Sequence, residues 1–428
     1  MALLARVTIT IALLHSMTPT VKPRGIDTYH EEWTFQKKEI ILSRDLSTRE
    51  SNSAGENSFL YALCEDGHWK PTKTCNVVVE HYTPEHITYR STCRLNLATG
   101  KESRMIGRNF ILTHLGNTNR ALFAWLDRER TNWAAHEVYL CVRVVDWSSC
   151  KSTDVKIPID PQNDLVDEIV FNNVLARDDT FEVFFNGKEL CRTGRCKMTF
   201  NADGQRIGQP ESFLPKEELT TPLSMVLPVS NSTAFKGYFV IEWTSKTLAV
   251  KLVGADGSAK EATRVLLEGY TNFGVSSGFE VFGVCWLPMH GDATVKCAQI
   301  DSGGEVILNV TLNFGYRVML VRMHNLVGGG FLLLQLGCTD DFCVGYKTFF
   351  VSRIRGNGRH DNRPLEISGI DLDVSVLDRY RVNLFERAGD ELCVSFAGPA
   401  TLSEFDIIQQ KPRMTYVSKC FDKKYVIG

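Results

Sequence analysis

The chain has 428 residues, 43% of them hydrophobic and 23% charged, with a formal net charge of −2. That balance is ordinary for a folding chain, and the near-neutral charge excludes a protein held to nucleic acid or anionic membrane by its overall field. The length suits two or three ordinary domains or one large repetitive one.

The N-terminus reads MALLARVTITIALLHSMTPTVKPRG. Arg6 gives a weak positive start, residues 7–14 form a short apolar core, and small or polar residues follow. This layout predicts a secretory signal peptide over residues 1–20 and a short linker over 21–30. Residues 31–428 are then a single folded unit. The apolar core is shorter than the about 20 residues that span a bilayer. No later run reads as a membrane span.

From there the chain lacks long helical patterns. Short runs rich in Val, Phe, Tyr, Ile and Thr recur between turns, the signature of strands. One phrase repeats: an apolar run, a polar turn, then an alternating run ending in Gly, Asp or Asn. Its clear copies are TFEVFFNGKELCRTGRCKMTFNADG from Thr180, GYFVIEWTSKTLAVKLVGADG from Gly237, GFEVFGVCWLPMHGDATVKCAQIDSGG from Gly278, and GFLLLQLGCTDDFCVGYKTFFVSRIRGNG from Gly330. Weaker copies begin at Phe59 (FLYALC, ending TCRLNLATG), at Leu122 and at Val382. Each phrase is preceded by another strand pattern, such as NFILTHL or YRVMLVRMH, and several are followed by a fourth, such as EVILNVTLNFG.

Repeat starts at intervals of roughly 40 to 60 residues fall in the range of propeller blades. Seven units of four strands predict an all-β fold, a single β-propeller of seven four-stranded blades. Six or eight blades are the alternatives where the weak units border insertions, and a pair of β-sandwiches is the competing architecture. An open ring leaves sheet edges bare. Residues 31–38 (EEWTFQKK) are expected to pair onto the last blade and latch it.

Thirteen cysteines are present. Cys191–Cys196 and Cys338–Cys343 share a C-x4-C spacing at the turn between the second and third strands of their units, where facing cysteines come within bridging reach. Cys285–Cys297 occupies the same two strands. Cys141–Cys150 and Cys393–Cys420 are the other expected pairs, so the hairpins read as disulfide-clamped. Cys64 is expected to meet Cys75 or Cys93, leaving the other of those two over. Zinc wants four Cys or His ligands at set spacings, and no histidine pair accompanies the C-x4-C motifs. The cysteines are therefore read as disulfides of an oxidising compartment, with no metal and no cofactor. Sequons at Asn231 and Asn309 are candidate glycosylation sites.

Chemistry is sparsely marked. No phosphate loop, nucleophile elbow or HExxH motif occurs, and DSGGEV at Asp301 reads as a plain turn. Asp167, Glu168, Asp371 and Asp373 lie on predicted innermost strands. There, paired carboxylates would serve a glycan hydrolase. Trp69, Trp125, Trp133, Trp147 and Trp286 suit either a binding face or the contacts between blades. The sharpest local charge is RIRGNGRHDNR, which gathers Arg353, Arg355, Arg359, His360 and Arg363 at one strand end and its loop. Arginine forks there suit carboxylate, sulfate or phosphate. These features lead to the expectation of a secreted, non-enzymatic binding module for an extracellular protein or glycan, with no nucleic-acid partner. A glycan hydrolase and a structural matrix or secretion component are the alternatives.

Overall fold

A computed structural model shows a β-propeller: antiparallel sheets, each built from consecutive strands, follow one another in chain order. Description extends from residue 38 to residue 422. Residues 1–37, 43–56, 66–73, 98–102, 131–135, 160–172, 215–223, 231–234, 339–346, 361–363, 368–380, 400–413 and 423–428, with some shorter turns, lie outside the described residues. The signal-peptide and linker readings fall there, as does all but Lys38 of the expected latch.

The first sheet holds β1 (Lys38–Leu42), β2 (Asn57–Glu65), β3 (Thr74–Tyr82) and β4 (Ile87–Asn96). The second holds β5 (Ser103–His114), β6 (Arg120–Arg130), β7 (His136–Asp146) and β8 (Ser152–Ile159). The third holds β9 (Asn173–Arg177), β10 (Thr180–Asn186), β11 (Arg195–Asn201) and β12 (Arg206–Ser212). The fourth holds β13 (Ser224–Ser230), β14 (Phe235–Trp243), β15 (Thr247–Gly254) and β16 (Thr263–Leu266). The fifth holds β17 (Tyr270–Gly278), β18 (Val281–Pro288), β19 (Thr294–Asp301) and β20 (Val306–Asn313). The sixth holds β21 (Arg317–Asn325), β22 (Phe331–Cys338), β23 (Lys347–Ile354) and β24 (Leu365–Ile367). Among the described residues the seventh has three strands, β25 (Arg381–Arg387), β26 (Glu391–Pro399) and β27 (Met414–Asp422). The repeated phrase lands on the second and third strands of sheets two to six. In the first sheet the phrase is misaligned: its TCRLN lies on β4, and the third strand is the TCNVVVEHY of β3.

The first strands of successive sheets lie side by side from β1 to β21, then β21 meets β25. β1 also lies against β26 and β27, which brings the two ends of the ring together. No helix among the described residues is long and apolar enough to cross a membrane.

Among the described residues, six apolar cores fill the seams between successive sheets from the first to the seventh. This explains why the strands read as near-continuous apolar runs, since both faces of a blade are covered. On β6, Ala121, Phe123 and Trp125 pack towards the first sheet, whereas Leu122, Ala124 and Leu126 pack towards the third. On β22, Leu332, Leu334 and Leu336 face the seventh sheet, and Phe331 and Leu333 face the fifth. The glycine that precedes this run is obligatory. Gly330 has φ +80°, and a Cβ there would sit 2.2 Å from the Ile354 carbonyl oxygen.

Disulfides add to this packing. Cys191 bridges Cys196, with Cα atoms 5.6 Å apart, and Cys285 bridges Cys297, its direct register partner, at 4.1 Å. Cys75, Cys338 and Cys393 are also disulfide-bonded. The register sets Cys75 opposite Cys64 and Cys393 opposite Cys420, while Cys343 lies outside the described residues.

The expected Cys141–Cys150 hairpin clamp is not formed: Cys150 bridges Cys93, with Cα atoms 5.2 Å apart. The reason is register. Cys141 faces Lys156 along β7 and β8, five residues back from Asp146, where the turn that holds Cys150 begins. Five strand residues span about 17 Å, beyond the roughly 7 Å limit for bridging Cα atoms. Cys141 instead keeps its thiol, buried in the core between the first two sheets. The leftover cysteine is thus neither Cys75 nor Cys93. The Cys93–Cys150 bond also joins two sheets, so the bridges do more than clamp single hairpins.

Candidate functional site

Because strands alternate in direction, turns joining first to second and third to fourth strands share one face of the ring. Turns joining second to third strands, and the links from sheet to sheet, share the other. Side chains agree with this assignment. Glu280, in the β17–β18 turn, takes Lys236 Nζ at 2.7 Å from the start of β14 and the Ser302 hydroxyl at 3.3 Å from the β19–β20 turn.

The basic stretch around Arg355 belongs to the first of these faces and is a repeating structural device. The Arg355 carbonyl accepts from Gly358 N at 2.8 Å, Arg355 N donates to the Arg359 carbonyl at 2.9 Å, and Asn357 Oδ1 accepts from Arg359 N at 3.1 Å. The same pair of backbone bonds closes 201–205, 254–258 and 301–305, each between a third and a fourth strand. A side-chain Oδ1 braces each, from Asn201, Asp256 or Asp301. The fourth position is always glycine at positive φ: Gly204, Gly257, Gly304 and Gly358. Such a residue closes a hairpin with a bulge in the left-handed region, which side chains resist.

The structure divides the basic residues accordingly. Arg355 and Arg359 are exposed on the turn. Arg353 lies opposite Leu332 on β23, on the face that packs towards the seventh sheet, and its Nε is buried. His360 is half-buried, with its ring 5.9 Å from that of Phe314. Arg363 is outside the described residues.

The opposite face carries the disulfide-closed turns. The Cys191–Cys196 bond closes the tip between β10 and β11, Cys338 ends β22 at the next such tip, and Cys75 and the Cys285–Cys297 pair stand at the corresponding ends of their hairpins. Arg195, next to Cys196, is 3% exposed, so the base of this loop is sunk into the ring. Burial lowers its pKa, and the charge of Glu242 on β14 opposes that shift.

Asp167, Glu168, Asp371 and Asp373, the acids proposed for the central channel, are outside the described residues. So are Trp69 and Trp133, whereas Trp125, Trp147 and Trp286 are buried between sheets. The described residues contain no group of three or more His, Cys, Asp or Glu arranged to hold a metal. Of the sequons, Asn309 is exposed on β20 and Asn231 is outside the described residues.

Sequence reasoning missed one ionic cluster. Glu182, in the middle of β10, is 3% exposed between the third and fourth sheets. The Tyr238 hydroxyl donates to it at 2.6 Å, Arg177 lies at 3.2 Å and Lys197 at 3.8 Å. The Arg177 guanidinium also sits 3.7 Å over the Phe235 ring. Burial first, and the bond to Glu182 second, push the Tyr238 pKa upward. The signal was available in TFEVFF, where a lone acid interrupts an apolar strand.

No family model matches the chain, and no curated protein sequence matches it. Solved structures do. One comes from a study of two prolyl endopeptidases and their inter-domain dynamics, at 12% identity and TM-score 0.45, covering 88% of this chain and 47% of that one. The chain therefore spans about half that enzyme's length. The β-propeller domain of the Trilobed protease from Pyrococcus furiosus aligns at 11% identity and TM-score 0.40, over 89% of this chain and 97% of that one. The WD40 domain of SCAP from fission yeast aligns at 8% identity and TM-score 0.40, over 95% and 97%. These likenesses concern the ring alone.

Proposed function

We propose that this protein is a secreted β-propeller that binds an extracellular protein or glycan without catalysis. It does so through the face that carries its disulfide-closed second-to-third turns. The observation that carries the reading is the Cys191–Cys196 bond across a hairpin tip. A bridge five residues apart stabilises the ring less than a long-range one would, but it fixes a loop in advance of binding and so lowers the entropy lost on contact. Disulfides on this scale belong to an oxidising compartment. Exposed loops on a rigid scaffold are where binding residues concentrate.

The exposed Arg355 and Arg359 on the other face are the competing surface, suited to anionic groups. One screen separates the two. Wild type, an Arg192→Ala/Asp340→Ala/Asp341→Ala variant and an Arg355→Ala/Arg359→Ala variant are assayed against arrayed glycans and secreted proteins. The proposal expects at least tenfold weaker binding in the first variant and unchanged binding in the second. The reverse pattern moves the site to the basic turn, and turnover of any arrayed glycan overturns the non-enzymatic reading.

A further inference from the structure

β20 is the last strand of the fifth sheet, so one of its edges has no partner among the described strands. Its residues divide by side. Leu308 and Leu312 are buried in the core shared with the sixth sheet. Val306, Asn309 and Thr311 face the other way, since their register partners are Ile300, Ala298 and Lys296, and Ile300 and Ala298 pack towards the fourth sheet. The ladder shifts between the Val306 and Leu308 pairs, leaving Ile307 as the extra residue. Val306 and Ile307 are 46% and 47% exposed. A bare edge with exposed β-branched residues is a template for pairing with another chain.

Asn309 and Thr311 are exposed two residues apart on one face of this strand, and with Val310 they form an Asn-x-Thr acceptor. We infer that Asn309 carries an N-linked glycan and that this glycan shields the β20 edge, with Val306 and Ile307, from a second chain. This rests on the secretory reading above. In the transfer, Asn309 Nδ2 bonds to the anomeric carbon of an oligosaccharide. The bond from that carbon to its lipid diphosphate breaks, the diphosphate leaves with the electron pair, and the amide loses one proton. Nothing is oxidised or reduced. A bulky hydrated group at the middle of the strand meets the steric need that charge or proline meets on other edges.

The test uses the full chain, expressed in secreting eukaryotic cells behind an unrelated signal peptide in place of residues 1–20. Entry into the pathway then no longer depends on the native leader. Peptide mapping is expected to find a glycan on Asn309. Asn309→Gln and Thr311→Ala are expected to lose it, and Thr311→Ser to keep it. A secreted chain with its Cys93–Cys150 bond formed but Asn309 unmodified overturns the inference. Retention in the cytosol only when the native leader is used counts against the secretory reading alone. Enzymatic removal of the glycan should raise the scattering mass in a concentration-dependent way, and Val306→Lys/Ile307→Lys should abolish that rise. Deglycosylated protein that stays monodisperse up to the same concentration refutes the shielding role.

Discussion

Replacing both Cys93 and Cys150 with Ala should destabilise the ring about twice as much as replacing Cys191 and Cys196. The two bonds close loops of very different length, with sequence separations of 57 and 5. In the chain-entropy treatment these correspond to about 4 and about 2 kcal/mol. Cys93 and Cys196 are both fully buried, but Cys150 is exposed where Cys191 is buried, so the cavity left by the sulfurs weighs more on the Cys191/Cys196 variant and narrows the difference. Other ties remain at the first seam. Arg143, held by Asp154 of its own sheet, donates to the Asn96 carbonyl at 2.6 Å, and the Ser91 hydroxyl donates to the Trp147 carbonyl. The first sheet should therefore loosen without detaching. At about 2.1 cal/mol/K per residue, unfolding the whole chain carries about 0.9 kcal/mol/K of entropy. The expected falls in Tm are then about 4 to 5 °C and about 2 to 3 °C, read by thermal circular dichroism under non-reducing conditions. Equal falls, or a larger one for the Cys191/Cys196 variant, would refute the reasoning.

Glu182→Ala should cost about 1 to 3 kcal/mol in denaturant titration, because it leaves the Tyr238 hydroxyl without its buried acceptor, while Lys197 keeps Glu211 at 3.0 Å and Arg177 regains water. Tyr238 has a raised folded pKa, so its contribution is complete below the unfolded value near 10 and is lost as pH climbs past it. Tyr238→Phe should flatten the fall in stability above about pH 10, and an unchanged alkaline slope would count against this linkage. Gly330→Ala and Gly257→Ala share a φ of +80°, but only at Gly330 would the new Cβ meet a carbonyl. The second should cost about 1 kcal/mol and the first clearly more, as measured by matched urea titrations. Thiol labelling of denatured but unreduced protein should tag Cys141, and the native protein should resist labelling there.

The strand repeat was legible because its cause is local. A blade covered on both sides needs apolar runs such as FLLLQL, and its turns need glycine at fixed places, so both features are written along the chain. The C-x4-C hairpin clamp at Cys191 was legible for the same reason, since its partners are five residues apart. The basic stretch at Arg355 stood out in the sequence because its charges are adjacent. The fold sends Arg353 towards a seam and builds Arg355 and Arg359 into a turn that recurs without arginine in three other sheets.

What the sequence by itself determined was the all-β repeat, the hairpins and the cysteines local to them, all consequences of period, turn chemistry and short-range geometry. Tertiary structure alone decided the partner of Cys93, the burial of Glu182 against Tyr238, and the pairing of an exposed sequon with a bare edge on β20. Each depends on which sheets lie side by side, or on which strand ends a sheet. Neighbours 56 or 57 positions apart meet only when one blade stacks on the next.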